Sequence, residues 1–116
     1  MKPASCKAKG RVLQNEIVQN LRTAYPELGE PDIRPAIMGQ SGIDILLSSR
    51  ARDLFPYAVE CKNQEALNIW ECLKQAEENG KKERMVPLLV FRRNRTKTYV
   101  AIEWTEFLNL VTAVQR

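Results

Sequence analysis

SGIDILLS (residues 41–48) and YAVECKNQ (residues 57–64) decide how this chain is read. In the second stretch Glu60 and Lys62 stand two apart on a predicted strand. Both side chains therefore leave one face, while Val59 and Cys61 point to the other. In the first stretch Asp44 opens the preceding predicted strand, beside a turn at Ser41 and Gly42 that can leave backbone amides exposed. If the two strands are neighbours, Asp44 and Glu60 converge on one cation with Lys62 alongside. Without that convergence, Glu60 and Lys62 are a strand-end ion pair worth roughly 0–1 kcal/mol.

Outward from these stretches the apolar pattern gives the remaining elements. Leu13, Ile17, Leu21 and Ala24 recur at helical steps with Val18 beside them, predicting a helix from about Lys7 to Tyr25. Glu16 adjoins that stripe, and residues 1–6 are expected to be a flexible lead-in. Strands are expected at about 32–38, 43–48 and 56–62, connected as an antiparallel meander through the turn-rich GQSG and through residues 49–54. Asn68 with Glu71 resembles a capping box for a helix to about Asn79, stopped at Gly80. Val86 to Phe91 reads as a buried strand, Thr98 to Ile102 as its hairpin partner, and Thr105 as the cap of a last amphipathic helix.

Composition narrows the chemistry. The chain has 116 residues, the size of one domain with one core. It has no histidine, which removes Ser-His-Asp and Cys-His mechanisms and His-ligated metals. Cys6, Cys61 and Cys72 are odd in number and lack CxxC spacing, so they read as packing groups in a reducing cytoplasm. No apolar run approaches the roughly 18 residues that span a bilayer. Eighteen basic against fourteen acidic residues give a net charge of +4, favouring a polyanionic partner. The bases cluster at Lys2, Lys7, Lys9 and Arg11 and again at Lys81, Lys82, Arg84, Arg92, Arg93, Arg95 and Lys97. They either flank one groove and hold phosphates or form two solvated faces. Trp70 and Trp104 are expected to pack helices on the sheet.

Cutting a phosphodiester requires hydroxide at neutral pH and neutralisation of phosphoryl charge, both of which a carboxylate-held Mg²⁺ provides. Two carboxylates, the main-chain carbonyl of Cys61 and a substrate phosphate make a reasonable octahedral set, with Mn²⁺ able to substitute. At these residues the sequence resembles the PD-(D/E)XK nuclease superfamily, with Gly42-Ile43-Asp44 and Glu60-Cys61-Lys62 as its motif; Ile43 stands where the motif has proline. The order Lys9-Gly10, Glu16, Ser41-Gly42, Asp44, Glu60-Cys61-Lys62 is similar to that of archaeal-type Holliday-junction resolvases and related small phage-encoded endonucleases.

That resemblance implies an α/β (α+β) domain over residues 1–116, with a restriction-endonuclease-like αβββαβ core and a central mixed five-stranded sheet flanked by helices. It implies Glu16, Asp44, Glu60 and Lys62 as the catalytic set, with Mg²⁺ on Asp44, Glu60 and the Cys61 carbonyl. Lys9, Arg11, Ser41, Gly42, Gln64, Gln75, Arg92, Arg93, Arg95 and Lys97 are the expected DNA contacts. The expected protein is a homodimeric, cytoplasmic endonuclease acting on branched DNA in recombination or repair. The alternatives are a repair, restriction or host-DNA-degrading nuclease, or a catalytically silent nucleic-acid-binding module.

Overall fold

The computed structural model describes residues 3–37 and 42–114, with side chains described over 8–37 and 42–113. The order is α1 (Pro3–Ala24), a 3₁₀ turn (Glu30–Asp32), β1 (Ile33–Pro35), β2 (Ile45–Leu47) and α2 (Ser49–Leu54). Then come β3 (Tyr57–Asn63), α3 (Ile69–Glu83), β4 (Val86–Arg92), β5 (Tyr99–Ala101) and α4 (Trp104–Val114). This is the mixed α+β architecture expected. The five strands, however, are divided between two sheets, β1-β2 and β3-β4-β5, rather than forming one central sheet.

The reason for the division lies between β2 and β3. Residues 49–54, expected as a turn, form α2 because Ser48 Oγ accepts from the Ala51 amide at 3.1 Å and caps the helix. That helix replaces the tight turn a meander needs. β3 therefore pairs with β4 in parallel, from Tyr57 opposite Val86 to Asn63 opposite Arg92, with α3 as the crossover a parallel pair demands. One main-chain bond crosses from the residue ahead of β2 to the second sheet, Asp44 N–H to Val59 O at 3.0 Å. β1 and β2 pair antiparallel, and β5 closes the expected hairpin on β4.

Val18 and Leu21 from α1, Ile33, Ile45 and Leu47 from the small sheet, Ala51, and Ala58, Val59 and Val90 from the large one share a single apolar core. α1 begins at Pro3, so Gly10 lies in its interior; Met1 and Lys2 are outside the described residues. Trp70 and Trp104 do not pack on the sheet, being 77% and 68% exposed. Cys72 is buried as expected, Cys61 is partly buried, and the Cys6 side chain is outside the described set.

α3 does not stop at Gly80. Asn68 caps its start, accepting from the Glu71 amide at 3.2 Å, and the helix ends at Arg84 in the left-handed conformation, φ 55°. Gly80 is a packing requirement instead of a terminator. A Cβ there would meet Pro87 Cγ at 2.8 Å and the Met85 carbonyl at 2.9 Å. Gly80→Ala should therefore lower stability by about 1–3 kcal/mol in urea unfolding, despite alanine's better helix propensity. Equal or greater stability would show that β4 yields to the methyl group.

Candidate active site

Strand alternation places the helices on opposite faces of β3. Asn63 points to α1, donating to the Lys9 carbonyl at 2.9 Å, whereas Glu60 points to α3, where Asn79 Nδ2 reaches its Oε2 at 3.2 Å. Lys62 shares the face of Glu60, with its Nζ 3.7 Å from Glu60 Oε1. Glu60 is 4% exposed. A carboxylate is thus held in the protein interior with one ammonium at its side.

Asp44 arrives from the edge of the same strand. Its Oδ2 accepts from the Cys61 amide at 2.6 Å, and its carbonyl accepts from Gln14 Nε2 at 2.5 Å and from the Ala36 amide at 2.8 Å. Because the N–H and C=O of one strand residue leave the same edge, the Cys61 carbonyl is directed toward the Asp44 side as well. The structure therefore brings Asp44, Glu60, Lys62 and the Cys61 main chain together. Gly42, at φ 115°, supports the approach, its carbonyl accepting from Asn79 at 3.2 Å. Ser41 lies outside the described residues.

Burial raises the pKa of Glu60 to about 7, and the nearby negative charge of Asp44 adds to this against the opposing pull of Lys62 and Asn79. Desolvation likewise raises Asp44, although the Cys61 amide opposes it. Burial pushes the Cys61 thiol up, followed by the two carboxylates, leaving it a neutral thiol rather than a thiolate ligand. Among the described residues no group of three Asp, Glu, Cys or His side chains gathers anywhere. The donors here are two carboxylates and a carbonyl, hard oxygens that suit Mg²⁺ or Mn²⁺ and leave positions for water and phosphate.

The other expected residues separate into groups. Lys62, Gln64 and Gln75 line one open cleft of about 520 Å³ together with Asn68 and Glu71. Lys9, Arg92, Arg93 and Arg95 line a second, of about 390 Å³, at the same C-terminal ends of β3 and β4 but on the α1 side. Arg11 and Lys97 are exposed and line neither cleft. Glu16 is half exposed and forms an ion pair with Arg92. Arg92 is the register partner of Asn63, so this pair lies on the α1 face, apart from Glu60 and Lys62. Sequence reasoning missed Gln14 and Asn79, both buried and both bound to the site. An amide inside the apolar stripe of α1 was the available signal for Gln14.

The model of the family described as "Phage putative PDDEXK endonuclease" matches residues 7–115. No curated protein matches the chain, and no solved structure does.

The raised pKa of Glu60 has a defined consequence. Its folded value, about 7, exceeds its ordinary 4.5, so between those pH values the folded state holds a proton that the unfolded state has released. In EDTA, stability should therefore fall as pH rises from 5 to 8, by about 3 kcal/mol from this group. Glu60→Gln should remove that slope and be the more stable protein at pH 8. Urea unfolding of both at pH 5 and pH 8 measures this; parallel slopes would show that Glu60 is ionised without penalty.

Proposed function

Since the chain belongs to the phage PDDEXK endonuclease family, we propose that it is a Mg²⁺-dependent endonuclease that hydrolyses DNA phosphodiester bonds with Asp44, Glu60 and Lys62 as its catalytic residues. The observation that carries this reading is the Asp44 carboxylate seated on the Cys61 amide, between Glu60 and Lys62 on β3. Asp44, Glu60 and the Cys61 carbonyl would hold the ion. When bound, Mg²⁺ supplies neutralisation of phosphoryl charge and activation of water.

The chain's own groups do the remainder. The Cys61 amide fixes one Asp44 oxygen, so the other is free to turn to the ion; Asn79 fixes one Glu60 oxygen, and the ion would share the other with Lys62. Lys62 is placed to orient the attacking water and to stabilise negative charge developing on the phosphate. Gln64 and Gln75 line the cleft on the Lys62 side and can hold the strand there; Gly42, two residues before Asp44, would add its backbone amide. Lys9, Arg92, Arg93 and Arg95, with Arg11 and Lys97 outside their cleft, would carry phosphates without reading sequence. Glu16 acts through Arg92, holding its guanidinium until a phosphate competes for it.

Branched DNA is the preferred substrate in this reading. The expected contacts are phosphate-binding bases around open clefts in a chain of 116 residues, which suits recognition of backbone path and shape. Purified protein with labelled four-way junction, flap and linear duplex, in Mg²⁺, Mn²⁺ or EDTA, tests it. The expectation is metal-dependent cutting of the junction ahead of the duplex. Equal cutting of linear and branched DNA would remove the junction preference, and binding without cutting in either metal would leave a silent binding module. Asp44→Asn and Lys62→Ala should each lose on the order of 10²-fold or more in rate. Glu16→Ala should lose less, because its contact is to Arg92.

A further inference from the structure

We propose that the chain pairs with a second copy of itself along the free edge of β5, in an antiparallel arrangement whose two-fold axis passes through Val100. β5 is the last strand of its sheet, hydrogen-bonded to β4 on one side only. Tyr99 and Val100, on opposite sheet faces by alternation, are 55% and 57% exposed. An edge this open is a template for another strand, and proteins that remain monomeric blunt it with a very short strand, proline, a bulge or a central charge. β5 is short, three residues, but TYVAI (residues 98–102) has no proline and no charge.

The helix that follows is equally uncovered. In α4, Trp104, Phe107, Leu108 and Leu110 are between 41% and 68% exposed, and none of its described side chains joins the core cluster. Trp104 and Phe107 stack on each other at 5.9 Å between ring centroids. Aromatic side chains cover on the order of 150–250 Å² each. With Tyr99 and Val100, these side chains are the apolar surface a second copy would cover.

Charge identifies the occupant as the same chain. KTYVAIE (residues 97–103) carries a base at one end and an acid at the other, equidistant from Val100. Antiparallel pairing about Val100 sets Tyr99 opposite the partner's Ala101 and Lys97 opposite the partner's Glu103, and repeats both contacts by symmetry. A pairing shifted by two residues loses those matches. Opposite charges facing across a ladder stabilise it, and like charges oppose it.

The test reads mass rather than cleavage, so it stands apart from the nuclease reading. Val100→Cys brings two thiols to the axis, where facing Cα atoms are about 4.5–5.5 Å apart, within disulfide reach. Mild oxidation should give a covalent dimer on non-reducing gels that wild-type protein, with its native cysteines, does not give. In sedimentation equilibrium, wild-type protein should be dimeric at about 10 µM, typical of a weakly to moderately tight interface. Lys97→Glu and Glu103→Lys should each weaken dimerisation, and the double swap should restore it. A monomer at about 100 µM, well above that range, would overturn the proposal and show that another chain covers this face. A dimer that neither cross-links in the Val100→Cys variant nor responds to the charge swaps would overturn the β5 register.

Discussion

Asp44 is the point on which both the fold and the site depend. Its amide donates to Val59, its carbonyl accepts from Ala36 and Gln14, and its carboxylate accepts from Cys61. Each bond belongs to a different structural task. The amide joins the two sheets, the carbonyl continues the pairing of the small sheet and anchors it to α1, and the carboxylate reaches the strand that carries Glu60 and Lys62. A residue held at its amide, its carbonyl and one carboxylate oxygen has little freedom to relax. The repulsion between Asp44 and Glu60 therefore cannot be relieved by moving Asp44 away, and it adds to the burial that already raises the pKa of Glu60.

The break between the sheets is what makes room for that site. Had β2 continued into a full ladder with β3, the amide and carbonyl of Cys61 would both be consumed by strand pairing. Because α2 intervenes, one main-chain bond joins the two sheets at Asp44 and Val59, and the next position along that edge of β3 is served by the Asp44 side chain. A local capping choice at Ser48 thereby sets the environment of the reacting groups. The same serine donates to Asp32 Oδ1 at 2.7 Å, while Asp32 Oδ2 accepts from the Gly29 amide, so the cap is tied to the start of β1.

Much of this is legible in the sequence, and the reasons differ residue by residue. Alternation over VECKN gives Glu60 and Lys62 a common face, and the stripe Leu13, Ile17, Leu21 gives α1, because both depend on local periodicity alone. The split of the sheet is not legible. It turns on whether six residues after a serine close a turn or start a helix, and both suit SSRARDL. Gly80 suggests its usual role at helix ends, whereas its neighbour in space is Pro87, seven residues on and across a turn. The expectation for Glu16 rests on the family order, but its side chain pairs instead with Arg92, 76 residues away and set in place by the register of β4 on β3, which no local pattern encodes.

The buried polar side chains of the described residues are Gln14, Glu60, Asn63 and Asn79. Burying such groups is costly unless each is bonded, and no buried side-chain nitrogen or oxygen among the described residues lacks a partner. Their partners are not scattered. Gln14 holds the Asp44 and Ala36 carbonyls, and Asn79 holds Glu60 and Gly42. Asn63 holds the carbonyl of Lys9 beside the basic cleft. A fold that needed only stability could have filled these positions with aliphatic residues of similar volume at little or no cost. Their concentration around one strand means that the interior polarity of this small domain serves to fix the directions in which Asp44, Glu60 and the basic end of β3 face solvent.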